Sequence, residues 1–393
     1  VTESIVLDVL LGVLLVAYTV YGVRVGLAHA AFAFAGVVGG VVAAYFVVPL
    51  VAGWVPFPVL RPVLVVGTAL GLVAFGNLLG ALLGRSARRG IEETALSGLD
   101  RVAGGLASGV AAALIASVVG VSVAGLGVPV LSQAIAGSTV LRTIGAVTPD
   151  PVEAWLAEVR SAVVVRGLPV ISDALGIPAP VIPDIDAGSP TLTAAAASVV
   201  RITGNAFACG VAQTGSGFVV TDDRVVTNAH VVAGVTEPVI ETLGGQALAG
   251  TIVYFDPLDD LAVIAVPGLD APALALGDTL PAGTDAAVQG YPFGGPFSST
   301  PAGIAGVRVA PVADITGTTS TPREVYTLGA TVREGNSGGP LLGLDGRVVG
   351  VVFARDATNP TVGYAMTMAE LDPVAAAAAA LSTPVDSGSC VSQ

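Results

Sequence analysis

The chain has 393 residues, 53% of them hydrophobic and only 11% charged, with a mean hydropathy of +0.83. Ordinary soluble domains carry about 25% charged residues, so part of this chain belongs in lipid. The net charge is −13, and from Pro190 onward seven Arg face eighteen Asp and Glu, a balance that repels phosphate backbones and excludes nucleic acid as a partner.

Four apolar runs come first. They are Ile5–Val23, interrupted by Asp8; Ala30–Val51; Val63–Leu83, which contains Asn77; and the uncharged Ala103–Leu126. Each is long enough for the roughly 20 helical residues that cross a hydrocarbon core. The sequence therefore predicts a four-helix transmembrane domain over residues 1–127. The first run lacks a basic leader and a cleavage site, so it reads as a span and not as a removed signal peptide. Arginines set the orientation. Arg24 follows the first run, and Arg85, Arg88, Arg89 and Arg101 lie between the third and fourth, against Arg61 alone between the second and third. The positive-inside rule puts the first and third loops in the cytoplasm and both termini outside. The pairs Gly36/Gly40, Gly67/Gly71, Gly76/Gly80 and Gly105/Gly109 have the spacing that lets helix backbones approach closely.

Residues 128–190 read as an extracytoplasmic helical segment and linker. The stretch "DPVEAWLAEVRSAVV" opens with Asp150 as a cap, Pro151 at the first helical position and Glu153 beyond. The Pro-rich "GIPAPVIPDIDAGSP", residues 176–190, is a stiff spacer. From 191 to 393 short Val/Ile/Thr-rich runs such as "GSGFVV", "GTIVYF", "LAVIAV" and "GRVVGVVF" alternate with Gly, Pro and Asp turns. That pattern predicts an all-β domain, and about 200 residues suit two small barrels. The alanine run 375–380 predicts a terminal helix.

Within this region "GNSGGP", residues 335–340, holds Ser337 between glycines. A serine hydroxyl becomes a nucleophile only with an adjacent base, and the base needs an orienting acid. The chain has two histidines, and one of them, His29, edges the second apolar run. The base must therefore be His230, in "VVTNAHVV". "FDPLDDLAVIAV" offers Asp256, Asp259 and Asp260 as the acid; Asp260 directly precedes the strand and is best placed to point inward. Cys209 and Cys390 are the only cysteines. An isolated pair reads as one disulfide and an oxidising compartment; the alternative is two unrelated buried thiols. They are too few for a metal site, and neither metal nor cofactor is expected.

Three stretches, "GSGFVV…VVTNAHVV", "DLAVIAV" and "GNSGGPLLGLDGRVVGVV", in that order, resemble the chymotrypsin-fold serine proteases of the HtrA/Deg branch over roughly residues 195–370. The resemblance implies a double β-barrel with His230, Asp260 and Ser337 as catalytic triad. It implies an oxyanion hole from the N–H groups of Gly335 and Ser337. It also implies a primary pocket with Thr331 at its base and Val351, Val352, Phe353 and Ala354 along its wall, suited to apolar or small side chains. The sequence departs from that branch in having no PDZ-like segment after "MTMAEL" and in its several apolar runs. The apolar half resembles the colicin V production proteins. Fusion of the two is the architecture of mycobacterial acid-resistance proteases and their actinobacterial relatives. The expected function is that of a multi-pass membrane-anchored envelope serine endopeptidase, its protease domain periplasmic, its partners protein or peptide substrates and the lipid bilayer, acting in stress resistance. The alternative is a transport or secretion module regulated by a protease-fold domain.

Overall fold

The computed structural model of the chain describes residues 2–54, 61–92, 96–124, 129–149, 151–152, 156, 169–171, 181–206 and 211–388. These form two compact units, Asp8–Ser117 and, in the other, Val1–Leu7 with Val118–Gln393. Cys209 and Cys390 lie outside the described residues, as does most of the helix expected from Asp150.

The first unit contains most of α1 (Thr2–Trp54), α2 (Arg61–Glu92) and most of α3 (Ser97–Ala124). Helix α1 carries both of the first two apolar runs, which corrects the expected loop at Arg24. The break between them is the single residue Gly26, at φ 77° and ψ 162°. That region of backbone space is open essentially to glycine alone, so one residue suffices to redirect the helix. Asp100 Oδ1 accepts from Ala28 N at 3.0 Å, satisfying one of the orphan N–H groups that a restarted helix exposes. The segment before the break packs on α3, where a Cβ on Gly22 would lie 2.3 Å from Gly104 O. The segment after it packs on α2, where a Cβ on Gly36 would lie 2.1 Å from Gly76 O and one on Gly80 2.1 Å from Phe32 O. Three of the four glycine pairs thus sit at helix crossings, while a Cβ added at Gly67 or Gly71 would meet nothing within 4 Å among the described residues. Two stretches among the described residues, Ser4–Ala44 and Ser97–Gly120, are helices long and apolar enough to cross a membrane.

Beyond α3 the second unit contains two short helices, α4 (Pro129–Ala136) and α5 (Thr139–Val147), bent by 53°. Ser138 caps the second by accepting from Leu141 N at 3.2 Å. Ala136 packs with Val239 and Ala247 of the first sheet. That sheet comprises β2 (Val199–Ala206), β3 (Val211–Thr221), β4 (Arg224–Thr227), β5 (Val239–Thr242), β6 (Ala247–Ala249), β7 (Thr251–Asp256) and β8 (Leu261–Ala265). Its order is β6-β5-β2-β3-β4-β8-β7. The two edge strands are joined by Gly250 alone, so the sheet must curl.

The second sheet comprises β1 (Val170–Ile171), β9 (Asp285–Gly290), β10 (Ser298–Ala313), β11 (Ser320–Gly329), β12 (Pro340–Gly343), β13 (Val348–Asp356) and β14 (Val362–Met366). Pairing of β13 with β14 closes β9 to β14 into a ring, and β1 adds to β13 in parallel. Each sheet has its own core, around Ile202, Ile240 and Ile264 in the first and Tyr326, Leu328 and Leu341 in the second. A third cluster joins the two, with Phe218 and Val226 against Val325, Val351 and Tyr364. Each fully buried Ile, Leu or Phe contributes roughly 1.5–3 kcal/mol, so the seam where the sheets meet is rigid. The terminal helix runs Met368–Ala378, capped by Thr367; its Leu371 enters the shared cluster.

Candidate active site

The register of β4 on β8 pairs Thr227 with Ala262. His230, three residues past Thr227, therefore lies beside Asp260, two residues before Ala262. The chain leaves β4 through Asn228 into a single helical turn, Ala229–Val232. Asn228 Nδ2 donates to Asp260 O at 2.9 Å, and His230 N donates to Asp260 Oδ1 at 2.9 Å. His230 Nδ1 lies 3.0 and 2.8 Å from the two carboxylate oxygens. The acceptor-only carboxylate requires the proton on Nδ1, which leaves Nε2 as an acceptor. Both residues are 3% exposed. Asp260 has φ 55°, a left-handed conformation that Asp tolerates better than most residues.

Asp256 and Asp259 do not reach the histidine. Asp256 closes its own turn, accepting from Leu258 N at 2.8 Å and Asp259 N at 3.2 Å. Burial, then repulsion from Asp256, pushes the Asp259 carboxyl above its ordinary range, with Arg323 opposing.

Ser337 follows a tight turn, Arg333–Asn336, closed by Asn336 N donating to Arg333 O at 3.0 Å. Gly335 occupies its third position at φ 89°, the sign that a type II turn demands and glycine supplies. A Cβ there would sit 2.3 Å from Tyr291 O. The turn is held on both sides. Ser216 Oγ donates to Gly335 O at 2.6 Å and accepts from Tyr291 N at 2.8 Å, and Ser216 N donates to Ser337 O at 2.8 Å. Phe293 N donates to Glu334 O at 2.5 Å. Beyond the serine, Gly338 N and Val352 O, and Val352 N and Gly339 O, bond at 2.8 and 2.9 Å, tying the loop to β13. No acceptor among the described residues takes the N–H of Gly335 or of Ser337.

Ser337 is 2% exposed, and its Oγ and His230 Nε2 are both buried without a hydrogen-bond partner, not bonded to each other in this structure. An unpaired buried donor or acceptor is costly, and such pairs at catalytic sites commonly tighten only with substrate. Of the expected pocket residues, Thr331 is half-buried. Val351, Phe353 and Ala354 belong to the shared core and Val352 to the core of the second sheet, so there β13 presents mainly its backbone. Ser216, Asn228 and the Tyr291–Gly294 loop were not singled out from sequence. Their signal is a polar residue inside an apolar run, "GSGFVV" and "VVTNAHVV", and the glycine-rich "GYPFGG".

Known proteins resemble both the apolar and the β-rich parts of the chain. Residues 215–351 match the family model of the trypsin-like peptidase domain, and residues 7–149 match that of the colicin V production protein. Serine protease Rv3671c of Mycobacterium tuberculosis strain H37Rv is 36% identical over 271 residues, 67% of this chain and 68% of that protein. A probable periplasmic serine endoprotease, DegP-like, of Halomonas elongata is 34% identical over 162 residues, 39% of this chain and 32% of that protein. The crystal structure of the active form of the Rv3671c protease from M. tuberculosis superposes with a TM-score of 0.53 at 37% identity, covering 57% of this chain and 99% of that chain. With a trypsin-like domain on a colicin V production-like helical unit, and with this identity over two thirds of both chains, the protein belongs to the family of Rv3671c-like serine proteases.

Proposed function

We propose that this protease is an envelope endopeptidase that cleaves peptide bonds with a Ser337–His230–Asp260 triad through an acyl-enzyme. The single observation that carries the proposal is the buried His230–Asp260 pair with Nε2 left as an acceptor, in the same unit as the buried, unpaired hydroxyl of Ser337. His230 Nε2 takes the proton from Ser337 Oγ as it attacks the substrate carbonyl, then returns it to the leaving amine. Asp260 holds the tautomer and stabilises the imidazolium. The N–H groups of Gly335 and Ser337 receive the developing oxyanion, each worth about 2.7–4 kcal/mol of transition-state stabilisation. Thr331, not an acid, at the expected pocket base, beside a stretch of β13 that offers mainly backbone and no acid, favours apolar or small side chains over Arg and Lys.

Four membrane spans, two of them the segments of α1 on either side of Gly26, would anchor residues 191–393 as two barrels on the periplasmic side. The arginine distribution and the cysteine pair support that side, and docking of Ala136 on the first sheet supports assigning α4 and α5 to it. Envelope proteins are then the substrate class. A role in stress resistance, acid stress included, follows from the resemblance to acid-resistance proteases.

The test uses the full chain in detergent. A fluorophosphonate probe should label wild type at Ser337 and should fail on Ser337→Ala and His230→Ala. Asp260→Asn should stay folded with turnover reduced by up to about 10⁴-fold. Persistent labelling of Ser337→Ala, or library cleavage mainly after basic residues, overturns the triad or the pocket reading respectively.

A further inference from the structure

We propose that Arg201, locked by Glu241, is a positioning residue for the oxyanion turn, acting from the first sheet through the carbonyl of Gly294. The inference rests on the proposed reaction and adds to it a residue outside all three motifs. The register of β2 on β5 sets Arg201 opposite Glu241. Its Nη2 bonds Glu241 Oε2 at 2.5 Å, and its Nη1 donates to Gly294 O at 2.9 Å. The guanidinium lies 6.0 Å from the centre of the Tyr291 ring, and the side chain is 12% exposed. One prong of the guanidinium fork is paired with a carboxylate and the other with a loop carbonyl, while its buried Nε has no partner among the described residues; a lysine cannot reproduce this two-pronged grip.

The loop it grips is strained. Phe293 and Gly294 both adopt left-handed conformations, at φ 57° and 61°. A bulky residue stays there only when its surroundings over-determine it. Three contacts from outside the loop contribute. Arg201 holds Gly294 O, the Arg333 guanidinium lies 5.6 Å from the Phe293 ring, and Phe293 N donates to Glu334 O at 2.5 Å. Thr214 packs closely on the far side, where a Cβ on Gly294 would meet its Oγ1 at 2.8 Å.

The third contact is the link to chemistry. In a trans peptide the C=O and N–H point in opposite directions. While Phe293 holds Glu334 O, the N–H of Gly335 is held facing away from the loop. If the loop relaxes, the Glu334–Gly335 peptide is free to rotate, and glycine at 335 removes the steric barrier to that rotation. Its N–H would then leave the place where the oxyanion forms. Arg201 thereby sets the direction of a peptide group it does not touch.

The experiment compares wild type, Arg201→Met, Arg201→Lys and Glu241→Gln as full chains in detergent micelles. It measures kcat and KM on one peptide substrate, the inhibition constant of the matching peptide boronic acid, whose tetrahedral adduct uses the oxyanion donors, and the melting temperature. Arg201→Met should lower kcat about 10- to 100-fold with KM within about threefold, and weaken the boronate by the same factor as kcat. Glu241→Gln should shift both in the same direction but less, and Arg201→Lys should fall between wild type and Arg201→Met. Wild-type kcat and boronate affinity in Arg201→Met overturn the proposal. So does a loss in which KM rises with falling kcat and both follow the melting temperature. Should Arg201→Met not fold, Glu241→Gln decides by the same two ratios. A wild-type chain without Ser337-dependent turnover is a different result; it sinks the protease reading and this inference with it.

Discussion

Asp259 and Asp260 are adjacent acids with opposite fates, and the difference comes from backbone, not chemistry. Asp260 sits at φ 55°, which turns its carboxylate onto His230, while Asp259 is left half-buried beside Asp256. Asp259→Asn and Asp260→Ala separate the two roles. The Asp259 carboxyl is raised in the folded state, so the folded protein holds that proton more tightly than the unfolded chain. Its ionised form therefore destabilises at neutral pH, and the penalty vanishes as pH falls below the ordinary aspartate range. Asp259→Asn should raise the melting temperature at pH 7, give no gain near pH 3, and leave turnover intact. Asp260→Ala should lower melting temperature and turnover together, because alanine tolerates the left-handed backbone less well than Asp or Asn. A silent Asp260→Ala alongside a dead Asp259→Asn would reverse the assignment. At this scale the sequence was highly legible, since one histidine in the β-rich region, one "GNSGGP" and one strand-leading acid left few choices. Arg201 and Ser216 were not legible, because their partners are 93 and 119 residues away and no local pattern encodes such a contact.

Helix α1 shows how an element can be read correctly in composition and wrongly in connection. The apolar runs predicted two spans with an arginine-bearing loop, and hydropathy cannot distinguish a loop from one glycine at φ 77°. What was legible was the packing code. Gly36, Gly40, Gly76 and Gly80 repeat every four residues, and those rows meet at a crossing where backbone nearly touches backbone. Gly67 and Gly71 have the same spacing, yet an added Cβ at either would meet no described residue within 4 Å, so spacing alone cannot tell a contact from an unused face. Gly36→Val should lower the thermal stability of the solubilised chain by more than the 1–3 kcal/mol typical of over-packing, because the obstacle is a carbonyl and cannot change rotamer. Gly67→Val should be tolerated. Fluorophosphonate labelling after solubilisation at low temperature should be equal in both variants, since the glycines belong to the helical unit. Equal melting of the two variants would show that the crossing contributes nothing.

At the scale of the whole molecule, the end of the chain returns to the sheet that carries the histidine. After the terminal helix, Arg224 Nε donates to Leu381 O at 3.0 Å and Val385 N donates to Ile252 O at 2.9 Å. Ser387 Oγ then donates to Val235 O at 2.8 Å, and Gly234 N to Ser387 O at 3.1 Å. Val235 packs on Gly204, where a Cβ would lie 2.4 Å from its Cγ1, on the strand that leads toward Cys209. The last described residue, Gly388, is two positions from Cys390, and Ala206 is three from Cys209. Both approach the same end of the first sheet, which supports a Cys209–Cys390 bond as an expectation for an oxidising compartment. Such a bond closes a loop of about 180 residues, worth roughly 5 kcal/mol in the loop-entropy model, less any native strain. It would also pin the strand pair that precedes His230 and protect the tail from fraying. Reductant should therefore lower the melting temperature of wild type by many degrees and leave Cys209→Ser unchanged. Peptide hydrolysis measured well below both melting points distinguishes a staple from a switch: equal rates with and without reductant make the bond structural, whereas a drop confined to wild type makes it a control on the active site. Mass spectrometry of protein taken directly from the cell envelope decides the prior question. Two free thiols there would remove the disulfide and, with it, the cysteine argument for a periplasmic protease domain, leaving orientation to the arginines alone.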